Sequence, residues 1–515
     1  MKKYISILML ASVLLSCSNN FLDEQTYGLI RPSNYFTTVS DLEKSVNALY
    51  SNGNLMYNES ACLVSCMGGD DITTQAGGNK AGYLQFDLFN AQDNNDRLGS
   101  SWRGAYGTIK QANVIITKID QFTQPAEQSA YLKSQKDRAL GQAHFMRALA
   151  YYNLVRIYGE VPLVVDVSID YKVEKASFKV IYDLIISDLV KAETLVPDNY
   201  SSAPNPSDLE KNTAYSRADK GAAKALMASV YLNMAGYPLK DASKYALAAQ
   251  KAKEVIDNEA NYGYSLLPDF ADLWKAKNNI NKETVFGCYY NHTAGDWSDG
   301  GTWANGNMNA PLAYFPGDFG GWDDAFAELT FFNEFPAGPR KDATFLTSGQ
   351  KTPTSPILTW QNFAFKHPYY NKYTDVPGFS TTNMGAWIDW WSSRTVQVIR
   401  YAEVLLVYAE AKAMTGTPDE LALTCLNRVR TRAGLVNAPT GLSGTALRDM
   451  VITERKWEFA GIEPCARWFD MVRTETVESA TAKRSAAEIP LVKTPTKEQY
   501  FAPIPQGDRI INPNL

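Results

Sequence analysis

Apolar residues return at three- and four-residue spacing through most of the first half of the chain and again from about residue 400, the pattern of helices that bury one face. The first predicted helix opens with Ser40 and Glu43 as a capping box and runs through Leu42, Val46, Leu49 and Tyr50 to a stop at Asn52-Gly53. A second runs from Trp102 through Tyr106, Ile109 and Asn113 to about Ile119. A third, over 139–158, is long and aromatic; it ends at Gly159, and Pro162 bars continuation. Further helices are predicted over 178–195, 218–234 and 242–258, the middle one opened by Ser216 and Asp219 and ended before Gly236 and Pro238. Ala222, Ala225 and Ala228, with Ala246, Ala249 and Ala252, give two of these helices small contact faces, which predicts closely stacked helical hairpins. Their spacing is irregular, so no strict repeat of about 34 residues is visible.

The pattern breaks from about 295 to 393. Gly, Asn, Asp and Pro cluster there, the helical period is lost, and seven of the eleven tryptophans fall between Trp297 and Trp391, which predicts surface loops with short strands or helices. Helices resume over 400–414 and after Thr417, where Thr417, Pro418 and Glu420 read as N-cap, first-turn proline and capping partner. Gly434 closes that helix, a third covers 446–459 and stops at Gly461, and the Pro- and Asn-rich tail over 500–515 is expected to be extended.

The start of the chain has a different logic. Lys2 and Lys3 precede a twelve-residue apolar run over 4–15, too short to span a bilayer, and Leu14-Leu15-Ser16-Cys17 closes it. This resembles a bacterial lipoprotein signal: the Cys17 thiol would take a diacylglyceryl thioether, the chain would be cut before it, and the freed amine would be acylated. Several acyl chains, at about 0.8 kcal/mol per buried methylene, anchor a protein stably. An ordinary signal peptide, or an apolar helix that begins the fold, are the alternatives.

Composition removes several function classes. A net charge of -5 and a pI near 5.5 lack the field that a nucleic-acid binder or a polybasic membrane-surface protein needs. Besides Cys17, the cysteines Cys62, Cys66, Cys288, Cys425 and Cys465 show no zinc-type paired spacing and are read as buried thiols. His144, His292 and His367 are scattered, so neither a metal site nor a cofactor is expected. There is no nucleophile elbow, P-loop, dinucleotide fingerprint or HExxH, although a glycosidase, whose two carboxylates leave no local signature, would pass this filter. The excess is aromatic, with 29 Tyr, 22 Phe and 11 Trp.

Several segments in order resemble the SusD/RagB-like family of outer-membrane nutrient-binding lipoproteins. They are Phe21-Leu22-Asp23, Asn34-Tyr35-Phe36 with Asp41-Leu42-Glu43, then Trp102, Tyr106, Ile109, Ala112 and Asn113. Gly141-Gln142-Ala143, Arg147-Ala148, Leu154-Val155-Arg156, Tyr158-Gly159 and Val161-Pro162-Leu163 follow. The second half supplies Arg400-Tyr401-Ala402-Glu403 with Tyr408-Ala409-Glu410-Ala411, Leu426-Asn427-Arg428-Val429-Arg430, Glu454-Arg455 with Glu458-Phe459, and Arg467-Trp468-Phe469-Asp470. The resemblance implies a mostly α fold, with four tetratricopeptide-like helical hairpins packed against an irregular, loop-rich ligand-binding half. It implies a lipid-tethered protein on the outer face of the outer membrane, partnered with a SusC-like TonB-dependent transporter. Such proteins bind oligosaccharides, or in some members peptides, and pass them on uncleaved. The expected division is a signal over 1–16, a tether over 17–40, a helical region over 41–270, an aromatic ligand-binding region over 271–399 and a helical region with its tail over 400–515, all in one unit.

The segment Gly295-Asp296-Trp297-Ser298-Asp299-Gly300-Gly301-Thr302-Trp303-Ala304-Asn305-Gly306-Asn307 is the sharpest functional candidate. A sugar ring stacks its C–H face on an indole while its hydroxyls need short polar partners, and Trp297, Trp303, Asp296 and Asn305 offer both. Trp322 with Asp323, and Tyr314, would extend the platform, whereas Trp387, Trp390 and Trp391 serve packing beneath the 400–414 helix equally well. Loop packing is the competing role for all of them. In the other half the resemblance points to polar groups between the first two helices, here Asp70, Asp71, Tyr83, Asn94, Asn95 and Arg97. Arg400, Glu403, Glu410, Arg467 and Asp470 are read as buried ion pairs that fix helix packing rather than as acid-base catalysts, and His144 as a packed core residue.

Overall fold

The computed structural model describes residues 38–57, 68–122, 129–167, 170, 172–290, 314–375, 380–386, 392–416, 418–464 and 466–515. Cys17 and its leader, Cys62, Cys66, Cys465, the loop containing Asp296, Trp297, Trp303 and Asn305, and Trp387, Trp390 and Trp391 lie outside them.

Helix α1 (Val39–Leu55) is opened two residues earlier than Ser40 would place it: the box is Thr38 with Asp41, each side chain meeting the other's backbone N–H. A short strand β1 (Ile72–Thr73) and helix α2 (Ala81–Asp87) precede α3 (Gly99–Lys118). Helix α4 (Ser129–Tyr158) starts ten residues before the predicted Ala139 and stops at Gly159, whose φ of +75° suits glycine. Then come α5 (Phe178–Leu195), α6 (Lys220–Ala235) and α7 (Lys244–Ile256), with Asp219 capping α6 through the Ala222 N–H at 2.8 Å. Strands β2 (Thr284–Cys288) and β3 (Phe326–Ala327), helix α8 (Pro339–Thr344) and strand β4 (Val396–Arg400) belong to the irregular half. After β4 come the longer helices α9 (Tyr401–Ala413), α10 (Glu420–Arg432), α11 (Gly444–Glu458) and α12 (Ala466–Arg473). Asp419, not Thr417, caps α10 by accepting the Ala422 N–H at 2.8 Å. The tail is not wholly extended, since Gln506–Ile511 forms helix α13.

The pairs α1/α3, α4/α5, α6/α7 and α9/α10 pack against one another as four hairpins. Neighbouring pairs are joined where α3 meets α4, α5 meets α6 and α7 meets α9, so helices from both ends of the chain form one array. The alanine faces serve this close approach: Ala222, Ala225, Ala228, Ala249 and Ala252 are buried. The irregular half is attached by β2 pairing antiparallel with β4, with Thr284 opposite Arg400, at the start of α9. A second antiparallel pair, β1 with β3, joins residues 72–73 to 326–327. Many aromatics of this half are core. Phe319, Phe326, Phe363 and Tyr369 form a separate buried cluster with Leu346 and Met384.

A buried charge hub locks the halves together. Glu458, at the end of α11, receives Arg340 of α8, Arg400 and Arg432. Arg400 also donates to Glu283 at 2.9 Å and Glu463 at 2.7 Å, and Lys372 donates to Glu463 at 2.5 Å. Of the other residues expected in buried pairs, Glu410, Arg467 and Asp470 are paired, whereas Glu403 is half-buried, accepts the Ser229 hydroxyl at 2.9 Å and makes no ion pair among the described residues. Glu410 binds Arg473, Asp470 binds Arg455 and Arg473, and His144 Nδ1 lies 2.7 Å from Asp188. Cys288 and Cys425 are buried free thiols.

Candidate ligand-binding face

Trp322 ends a tight turn that the local sequence dictates. The Pro316 carbonyl accepts the N–H groups of Phe319 and Gly321, Gly320 sits at φ +92°, and any Cβ on Gly321 would overlap the Phe315 carbonyl. Asp323 clamps the turn, its carboxylate accepting the Gly317 N–H at 2.7 Å and the Tyr369 hydroxyl at 2.5 Å. Burial raises the pKa of that carboxyl above the ordinary range against these two bonds. The indole is half-buried against the main core.

Beside it runs the Gly-rich turn over 74–80. The Thr74 hydroxyl donates to the Asp324 carbonyl at 2.7 Å, the Gln75 amide donates to the Asp323 carbonyl at 3.3 Å, and Lys80 pairs with Asp324. On the far side of this turn Arg97 donates to the Asn79 carbonyl at 3.1 Å, and its guanidinium lies 4.7 Å from the Tyr83 ring centre. Asn95 fixes the base of that loop, accepting the Arg97 N–H at 2.9 Å and donating to the Gly82 carbonyl at 2.9 Å. Asn94 beside it is exposed.

The 74–80 turn is thus bonded at one end to the residues that follow Trp322 and at the other to Arg97. The structure withdraws other expected ligand contacts. Tyr83 is 1% exposed and serves as the floor under Arg97. Asp71, also 1% exposed, accepts the Gly461 N–H at 2.7 Å; burial and the neighbouring Asp70 push its pKa up to about 7. Asp70 is clamped by both arms of Arg467 at 2.6 Å; burial works against its charge, but Arg467 prevails and holds the carboxyl below its usual range. These three are positioned by internal demand for hydrogen bonds and charge partners, which the sequence pattern could not separate from demand by a ligand. Tyr314 is likewise packing, 1% exposed and 4.7 Å from the Tyr373 ring. Gln75 and Asn79 were missed; the polar, glycine-rich run Thr73-Thr74-Gln75-Ala76-Gly77-Gly78-Asn79 was the available signal for an exposed turn.

What Trp322, Arg97 and residues 74–80 offer chemically is an aromatic face, a guanidinium held flat on a tyrosine, and amide and carbonyl groups on a rigid turn. Residues 20–232 match a family model described as starch-binding and associating with the outer membrane, and residues 298–515 match that of the SusD family. The chain belongs to the SusD family. It is 28% identical over 543 residues to SusD-like protein P2 of Formosa agariphila, an alignment spanning 100% of this chain and 99% of that one. A SusD homolog from Bacteroides thetaiotaomicron superposes with a TM-score of 0.75 at 22% identity, covering 94% of this chain and 97% of the other. A laminarin-binding SusD-like protein gives 0.73 at 22% identity over 93% and 98%. The SusD fold, mostly helical with an irregular half, is thereby shared.

Proposed function

We propose that this chain is a cell-surface lipoprotein, anchored through Cys17 at the outer face of the outer membrane, that captures oligosaccharides and passes them to a SusC-like TonB-dependent transporter. The observation that carries the binding part is the Trp322 edge. The rigid turn holds an indole partly open to solvent, and the 74–80 turn bonded behind it, with Arg97 at its far end, offers amide, carbonyl and guanidinium groups. An indole takes the C–H face of a pyranose ring, while neutral hydroxyls bond amide, carbonyl and guanidinium groups. Trp297, Trp303, Asp296 and Asn305, outside the described residues, are proposed as further sugar contacts on their chemistry alone.

Binding without cleavage suits the carboxylates near this edge. Asp71 and Asp323 are buried and Asp70 is held by Arg467, so none of the three is presented to a bound sugar as acid or nucleophile. The membership of a family whose one model is described as starch-binding and outer-membrane-associating supports the sugar class and the location.

The test uses the soluble chain that starts after Cys17 in affinity gels cast with plant, host and microbial polysaccharides. Retardation by at least one polysaccharide, with no sugar released on prolonged incubation, is the expected result. Retardation by none, together with binding of peptide mixtures, would overturn the carbohydrate reading.

A further inference from the structure

The stretch from Lys493 to Pro503 crosses the helical array as a strap. The Lys493 N–H meets the Leu88 carbonyl at 3.4 Å, and the Ala502 N–H meets that of Ile157 at 2.7 Å. Between the strap and α2 a cleft of about 100 Å³ stays open to solvent. Its walls are the rings of Phe86, Phe89, Trp468 and Phe501. Packing behind them fixes these walls: Phe89 and Trp468 lie 6.3 Å apart, and Phe501 rests on Phe178 at 5.3 Å.

The rim differs from the walls. Lys493 and Glu498 are exposed there, and among the described residues neither side chain makes a hydrogen bond or ion pair. Gln499 gives its side-chain oxygen to the Thr496 N–H at 3.0 Å and hydroxyl at 3.1 Å, which leaves its NH₂ free to donate outward. A purely apolar guest would leave this rim unused, and a guest of either charge would meet a like charge. A neutral ring with an apolar face and several hydroxyls fits both the walls and the rim.

We infer that this cleft is a second carbohydrate subsite, which holds one pyranose ring against Phe86 and Phe501 with its hydroxyls on Lys493, Glu498 and Gln499. It shares no lining residue with the Trp322 edge. The inference rests on the carbohydrate-binding reading above and adds a place where a chain, or a second chain, is held.

The experiment is titration calorimetry of the soluble chain with maltotriose, laminaritriose and cellotriose. Ala91→Trp fills the cleft from its half-exposed wall, and a Lys493→Ala/Glu498→Ala double variant strips the rim; thermal melting checks that both fold. Two sites per chain are expected for at least one trisaccharide, one weakened at least tenfold by either cleft variant and the other by Trp322→Ala alone. A single site, untouched by the cleft variants but weakened by Trp322→Ala, overturns the subsite and leaves the proposed function standing. A single site lost in the cleft variants and indifferent to Trp322→Ala supports the subsite and removes the Trp322 edge. Absence of binding by all three sugars overturns the subsite and leaves the proposed function to the polysaccharide gels.

Discussion

Glu458→Ala tests whether the buried hub holds the ligand-binding half to the helical array. The glutamate is fully buried, with Arg400 and Arg432 donating to one oxygen and Arg340 to the other, at 3.0 Å. The innermost set balances: Arg340, Arg400, Arg432 and Lys372 against Glu283, Glu454, Glu458 and Glu463. After the substitution every arginine keeps one carboxylate, so no guanidinium is orphaned, but one positive charge is left uncompensated in the interior. Removing one partner of a buried pair costs about 3–5 kcal/mol. At about 2.1 cal/mol/K per residue a folded unit of this size has an unfolding entropy of about 1 kcal/mol/K, so the melting temperature should fall about 3–5 °C.

Lys372 sets a pH signature for that loss. Burial outweighs its Glu463 partner and lowers its pKa to about 8, against 10.5 for the free side chain. Between those values the unfolded chain binds the proton and the folded chain does not, so stability rises with pH across that window. Loss of Glu458 removes a nearby negative charge and moves the window down, letting Lys372 shed its proton and relieve the surplus charge. The deficit of the variant should therefore narrow between pH 6 and pH 9. Calorimetric melting of both proteins across that range measures it. A shift under about 1 °C at pH 6, or a deficit that widens with pH, would refute the account of the hub.

Trp322→Ala is expected to weaken retention by a cognate polysaccharide about 2- to 13-fold, the loss of one ring contact worth about 0.5–1.5 kcal/mol, as read in affinity gels. Asp71→Asn should flatten the pH dependence of stability: the folded carboxyl keeps its proton to about pH 7 while the unfolded one loses it near 3.8, so the parent loses stability as pH rises between those values. An amide, still able to accept the Gly461 N–H, has no such proton to lose, and urea melts at pH 5 and pH 7.5 should show a smaller difference in the variant. Cys17→Ala should release the protein from the membrane fraction of its host, and protease added to intact cells should cut the parent chain; retention of the variant in the membrane would remove the lipid anchor.

Helices were legible wherever one face carries the period. The predicted 178–195 helix is α5 residue for residue, and the glycine stops at Gly159 and Gly434 hold with φ of +75° and +76°. The misses share a physical cause. The first ten residues of α4 are polar because Gln135 and Arg138 reach out to Glu210 instead of packing on apolar neighbours, so the hydrophobic period is absent where the helix begins. At α1 and α10 two overlapping sets of capping residues compete, and only the tertiary path of the incoming chain selects Thr38 and Asp419.

The site was less legible because core and platform draw on the same residues. Aromatic, aspartate and glycine side chains mark a sugar-binding loop, but they also mark a half whose short strands cannot bury enough aliphatic surface and fill their interior with rings instead. Tyr369 shows the overlap: its ring joins a buried cluster with Phe319, Phe326 and Phe363, and its hydroxyl must then find an acceptor, which is Asp323. That bond holds the turn on which Trp322 stands. The buried tyrosine and aspartate are thus needed to aim the half-buried tryptophan, and their demands are met inside the protein rather than by a ligand. Trp322, Arg97 and Gln75 take part in that internal matching and still keep part of their surface open, and the matching depends on contacts between positions about 250 residues apart, as in the bond from Thr74 to Asp324. Local spacing carries no trace of such contacts, so the sequence could name the kinds of residue that build the face but not which members of each kind would be consumed in supporting it.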